Sequence, residues 1–124
     1  MKPRYPHDWK ISQTEQAKIN VEKAKSLISQ TYEQVLLDQA KALNEYDVAL
    51  QNFKTSQQTL KLAESIEKKN QIKFNEGVVG SFDLRQAQLQ LYDAQNQNLT
   101  SMKRVVKARS ALSLLFYSSE ILKQ

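Results

Sequence analysis

Residues 75–83 read Asn-Glu-Gly-Val-Val-Gly-Ser-Phe-Asp, and this short stretch contains both glycines of the 124-residue chain. Both prolines lie within the first six residues, so this stretch is the one strong break after Pro6. A long sequence with a single concentrated break predicts two helices that fold back on each other. We therefore expect an all-α fold, a long antiparallel coiled-coil hairpin. Its predicted parts are a long helix, a tip and a shorter return helix, at about 13–75, 76–82 and 83–118.

The start of the long helix has its own sequence signal. Ser12 and Glu15 have the S-x-x-E spacing of a capping box, in which each side chain satisfies a backbone donor at a helix N-terminus. The first helix is therefore expected to begin near Gln13. The predicted divisions of the chain are an extended leader, the helical hairpin and a C-terminal tail, at residues 1–12, 13–118 and 119–124.

The return helix carries a regular seam of apolar and small residues. They recur at alternating steps of three and four, which is the spacing of a coiled coil. The seam positions are Leu84, Ala87, Leu91, Ala94, Asn98, Ser101, Val105, Ala108, Leu112 and Leu115. Small side chains return every seven residues and would let the two helices approach closely. Asn98 is interpreted as a register device, which costs some stability and disfavours slipped pairings.

The long helix is longer than its predicted partner. Pairing around a turn near Val79 sets 83–118 against about 40–75 and leaves 13–39 without an intrachain partner. That segment has a heptad pattern of its own, at Ala17, Val21, Ala24 and Ile28. Two further stripes lie off the seams, at Leu36, Leu43 and Leu50 and at Leu89, Tyr92, Leu99 and Val106. Because such helices are stabilised mainly by packing, we expect a homo-oligomer.

The tip has physical grounds of its own. Gly77 can adopt the left-handed conformation that ends a helix, and Ser81 can cap the next one. Asp83 would then lie in the first turn, where a carboxylate is favourable to the helix dipole. This leaves Val78 and Val79 at the tip, where they either pack against each other or form a docking surface.

Composition argues against catalysis and cofactors. The chain has no cysteine, and its single histidine, His7, stands in the proline-bearing leader. No His, Cys and carboxylate set occurs at metal-site or triad spacing. We therefore expect no enzyme activity and no catalytic, cofactor-binding or metal site.

The basic balance, a formal net charge of +5, raises the question of an acidic partner. Four cations cluster near the predicted end of the return helix, at Lys103, Arg104, Lys107 and Arg109. Cations there would complement the helix dipole, and no aromatic residue is interleaved for base stacking. No nucleic-acid partner is expected. The sequence opens without the apolar run of a secretory signal, and its longest apolar run, 114–117, is far shorter than a membrane span.

Two motifs flank the break. The first is Lys73-Phe74-Asn75-Glu76-Gly77, and the second is Asp83-Leu84-Arg85-Gln86-Ala87-Gln88, followed by Leu91-x-x-Ala94. In this order and at these separations they resemble one helical hairpin repeat of the outer membrane efflux protein (TolC-like) family. The resemblance extends over roughly residues 15–115.

The resemblance implies a structural module of a tripartite efflux or type I secretion channel in the periplasm and outer membrane. In this family three protomers, each with two hairpins, form a periplasmic helical tube, and the tips dock the coiled coil of a periplasmic adaptor (membrane fusion) protein. It implies Asp83 as a position near the channel constriction. It also implies an adaptor-docking tip at Gly77, Val78, Val79, Gly80 and Ser81.

The match has one clear departure, since this chain carries one hairpin where the family uses two. It is therefore expected to be less than a complete channel subunit, with membrane contact only through family regions that this sequence lacks. The alternative is a free-standing coiled-coil interaction protein, which assembles with itself or with another coiled coil and has no transport role.

Overall fold

The computed structural model describes residues 5–123, and it describes side-chain surroundings for residues 12–121. Two helices occupy almost all of this range. Helix α1 spans Tyr5–Asn75 and helix α2 spans Ser81–Lys123, and residues 76–80 join them. No strand occurs within residues 5–123. The predicted all-α hairpin, with two long helices around a single break, is confirmed.

Both helices extend beyond the predicted limits. Helix α1 begins at Tyr5, so residues 5–12 are helical where an extended leader was expected, and Ser12 lies inside the helix and does not mark its start. Pro6 falls in the first turn, where its missing N–H would have no intrahelical partner in any case. The expected leader's residues 1–4 lie outside the described part of the chain.

Helix α2 continues to Lys123, past the predicted end at residue 118. Residues 119–123 read Ser-Glu-Ile-Leu-Lys and contain neither glycine nor proline, so nothing local ends the helix there.

The structure divides into two compact units, Met1–Asp38 and Gln39–Gln124. In the first unit, every described side chain from Ser12 to Gln34 is exposed. The heptad positions of this segment are included, since Val21 and Ile28 are among the exposed large apolar residues. This unit therefore has an amphipathic pattern whose apolar side is open to solvent in the single chain.

The second unit has a thin core made of small side chains. Its buried residues are Ala42, Ala49, Ala63, Ala87, Ala94 and Ser101. Larger seam residues alternate with them and are half-buried, at Tyr46, Phe53, Leu60, Leu84, Leu91, Val105, Leu112 and Leu115. Small residues at the centre let two helices pack closely, and the larger ones close the contact on either side.

Hydrogen bonds across the seam define which residues face each other. The Ser56 hydroxyl oxygen lies 3.1 Å from Asn98 Oδ1 and 2.7 Å from the Ser101 hydroxyl oxygen. Further from the tip, Gln39 Nε2 donates to the Leu115 carbonyl over 3.4 Å. Asn98 therefore has a hydrogen-bonding partner on the opposite helix. A slipped register would remove that partner from a half-buried polar group.

Large apolar side chains also lie exposed on the outside of the second unit. They include Leu43, Leu50, Leu89, Tyr92, Leu99 and Val106. Neither described helix contains a stretch with the length and hydropathy needed to cross a bilayer.

Candidate functional site: the hairpin tip

The end of α1 is closed by two backbone hydrogen bonds that characterise a Schellman motif. The Gly77 N–H donates to the Phe74 carbonyl over 3.0 Å, and the Val78 N–H donates to the Lys73 carbonyl over 2.8 Å. Gly77 has a φ of 76°, the left-handed conformation that this motif requires. The turn is therefore a defined structure in which the Lys73 and Phe74 carbonyl groups at the end of α1 accept hydrogen bonds.

The two glycines of the tip have different roles. Among the described residues only Gly77 has a positive φ, whereas the Gly80 carbonyl accepts the first hydrogen bond of α2, from the Leu84 N–H over 3.3 Å. Gly80 is therefore the N-cap, and Ser81 is the first residue of the helix. The prediction that Ser81 caps α2 is wrong, because the carbonyl that accepts the first hydrogen bond of α2 belongs to Gly80, one residue before Ser81.

The two valines of the tip differ in exposure. Val78 is 68% exposed, whereas Val79 is half-buried. The sequence left open whether the pair packs together or faces outward, and most of the Val78 side chain faces solvent. Val79 thus contributes to covering the turn, and Val78 faces solvent.

Phe82 is a candidate tip residue that the sequence reasoning did not select. It lies in the first turn of α2 and is 70% exposed. A signal for it exists in the sequence, because Phe82 falls two residues before Leu84 and is therefore off the three-four spacing of the seam. An aromatic residue beside a turn and off the seam is expected to face solvent.

Charged side chains of both signs lie around this exposed apolar pair. Glu76 and Asp83 are exposed next to the turn, and Asp83 lies in the first turn of α2. Lys73 is exposed in the last turn of α1, and Arg85 is exposed on α2. The tip therefore exposes apolar and charged residues within one short stretch, and protein-binding surfaces combine both kinds.

The four cations that were predicted near the end of the return helix lie well before its observed end. Lys103, Arg104, Lys107 and Arg109 are exposed, but α2 continues to Lys123. They therefore do not lie in the last turn, where the dipole effect acts, and the dipole explanation of this cluster is wrong. Within the described residues, no group of three or more His, Cys, Asp or Glu side chains is placed to hold a metal ion.

Fold and tip together define a coiled-coil helical hairpin with a fixed turn and an exposed apolar end. In comparison with known families, the model described as outer membrane efflux protein matches residues 10–116. This match covers most of the chain, and the chain belongs to the outer membrane efflux protein family, which confirms the resemblance. No curated protein and no solved structure matches the chain.

Membership assigns the chain to a family of channel and transport proteins, not to an enzyme family. The family supports a role in outer membrane efflux channels and a setting at the outer membrane and periplasm. It also implies, in general terms, trimeric assembly and interaction with an adaptor.

Proposed function

We propose that this hairpin forms part of the periplasmic helical tube of a tripartite efflux or type I secretion channel and docks an adaptor protein through its tip. The observation that carries the proposal is the tip itself. Two hydrogen bonds and the left-handed Gly77 hold the turn, and Val78 is presented outward from it. A preorganised surface loses less conformational entropy on binding than a mobile loop does.

The exposed stripes support a role in a wall of helices. Leu43 and Leu50 on α1, and Leu99 and Val106 on α2, are exposed although the seam between the helices is already formed. Large apolar side chains that stay exposed in rows along a helix indicate an interaction site. We propose that further copies of the chain cover these stripes, so that the protein is a homo-oligomer.

Asp83 is proposed to lie near the constriction of the assembled channel. Its carboxylate is exposed in the first turn of α2, where it also favours the helix dipole. A transport assay of an Asp83→Asn variant separates the two roles, because a purely structural carboxylate alters helix stability and leaves passage through the channel unchanged.

Adaptor binding tests the docking role. The full chain would be titrated with a purified periplasmic adaptor protein from the same organism, using biolayer interferometry. A charge placed at the tip, Val78→Asp, is expected to abolish most of the binding, since it buries an unpaired carboxylate in the contact. The matched control is Val48→Asp, at a valine within α1 that is also exposed. Equal binding by both variants would contradict docking through the tip.

Light scattering across a concentration series, with circular dichroism on the same samples, tests the assembly. A defined oligomer of high helicity is expected. A fully helical monomer at micromolar concentration would contradict the homo-oligomer. An oligomer that does not bind the adaptor would favour the alternative function, a coiled-coil assembly protein with no transport role.

A further inference from the structure

We infer that Phe82, together with Val78, forms the apolar centre of the tip's docking surface, and that the partner is a protein with an apolar pocket bordered by charges of both signs. This inference rests on the proposed docking function and assigns its main binding residue.

Phe82 is the more exposed of the two phenylalanines that flank the turn, since Phe74 at the end of α1 is 39% exposed. It is 70% exposed, whereas Phe53 in the seam is half-buried. An aromatic ring buries a large area on binding and has few rotatable bonds to immobilise, so aromatic residues are enriched in interfaces. Phe82 therefore offers more contact area than any residue from Gly77 to Ser81.

The backbone on both sides holds Phe82 and Val78 in place. Val78 donates the second hydrogen bond of the Schellman motif, and Phe82 belongs to the first turn of α2, which begins with the Leu84 to Gly80 bond. Neither residue sits on a free loop. Such fixed apolar anchors are the type of residue that contributes most to the affinity of an interface.

The charges near this pair identify the kind of partner. Exposed residues of both signs flank it in the chain, carboxylates at Glu76 and Asp83 and cations at Lys69, Lys73 and Arg85. An anionic lipid surface has one sign of charge, so it would attract these cations but repel these carboxylates. A protein surface can match both signs at once.

A second copy of the tip fits this pattern less well. In a two-fold contact of two tips, each presents the same groups to the other, so the charges can be matched only as far as one surface complements itself. Self-association is proposed instead through the exposed stripes at Leu43, Leu50, Leu99 and Val106, which lie along the helices away from the tip. The observations therefore favour a different protein at the tip.

The test compares two phenylalanines of one helix. Phe82→Ala is expected to weaken binding of the purified adaptor by about 30-fold, the effect of truncating a residue that dominates an interface. Phe116→Ala, at an exposed phenylalanine in the other half of α2, is expected to leave the affinity unchanged. Phe82→Leu is expected to retain part of the affinity, because it keeps apolar contact area. Circular dichroism and light scattering on each variant report fold and assembly.

The outcomes separate this inference from the proposed function. Equal affinity of Phe82→Ala and the unmodified chain, with binding still lost in Val78→Asp, would overturn the role of Phe82 and leave tip docking intact. No binding of the adaptor by the unmodified chain would overturn both. Loss of self-association in Phe82→Ala, or Phe82-dependent sedimentation with phosphatidylglycerol vesicles, would show a different occupant and overturn the inferred partner.

Discussion

The two units of the chain carry the same kind of sequence pattern and differ in its coverage. From Gln39 onward, small heptad residues such as Ala49 and Ala94 are buried in a seam. From Ser12 to Gln34, the heptad positions are exposed, and Ile28 is 70% exposed. The heptad spacing therefore predicts which side of a helix can pack against a neighbouring helix. It does not predict whether that neighbouring helix belongs to the same chain.

Hydrogen exchange measures this contrast directly and should give the largest effect. At low protein concentration, amides in the seam of the second unit are expected to exchange roughly 100-fold more slowly than those of residues 12–34, because local opening is cheaper where few side chains are buried. Mass spectrometry of exchanged peptides provides the measurement.

Raising the concentration sharpens the same experiment. Protection of residues 12–34 that increases with concentration would mean that copies of the chain cover the segment. Equal protection of both units at the lowest concentration would contradict the claim that residues 12–34 are uncovered in the single chain.

Substitution of a seam alanine should give the next largest effect. Ala94→Leu inserts a larger side chain at a position that is only 4% exposed, and we expect it to lower the free energy of unfolding by about 1–3 kcal/mol. Ala24→Leu, at an exposed heptad position of the first unit, is expected to change it by less than about 0.5 kcal/mol. Urea unfolding followed by circular dichroism compares the two, and equal losses would show that Ala24 is also covered in solution.

Substitution of the two glycines tests how much the stability of the second unit depends on its turn. Gly77→Ala forces an L-residue to keep a φ of 76° and is expected to cost about 1–2 kcal/mol. A Cβ at either glycine meets no atom within 4 Å, so the difference between them arises from the backbone conformation.

The control for this prediction is Gly80→Ala. Gly80 has no positive φ, and the weaker N-cap preference of alanine is offset by the lower entropy of its unfolded chain, so the change should be within about 0.5 kcal/mol. Equal thermal stability of the two variants would contradict the role assigned to Gly77.

Removing the first-turn carboxylate should give the smallest effect. Asp83→Asn takes a negative charge from the positive end of α2 and is expected to cost about 0.3–1 kcal/mol at low salt. Asp93→Asn, at an exposed position inside the same helix, is the control and should have almost no effect. Thermal unfolding at low and high salt compares them. A loss in Asp83→Asn that does not decrease with added salt would argue against the dipole.

Much of the fold could be predicted because its signals are local. Two long helices follow from the position of the breakers, and the order of the flanking motifs resembles the family that the comparison then identified. The limits of the helices were harder to predict. Ser12 and Glu15 have the spacing of a capping box, yet nothing before them prevents helix, and α1 begins at Tyr5.

The position of the tip could be predicted from sequence, but the roles of its two glycines and the exposure of its two valines could not. The glycines mark the turn, while their separate roles depend on which carbonyl accepts the first bond of α2. The valines are adjacent and chemically identical, and only the path of the backbone makes Val78 exposed and Val79 half-buried. Adaptor docking by this tip and a constriction at Asp83 stay predictions.

The sequence by itself determined two helices, one break and the seven-residue seam, because helix propensity, breakers and periodicity act over a few residues. Only the tertiary structure decided which heptads are covered, which partner Asn98 meets across the seam, and that Val78 and not Val79 faces solvent at the tip. A heptad residue is buried only where a second helix packs against that part of its own helix. The spacing along one helix contains no information about where the facing helix lies or how the turn directs it.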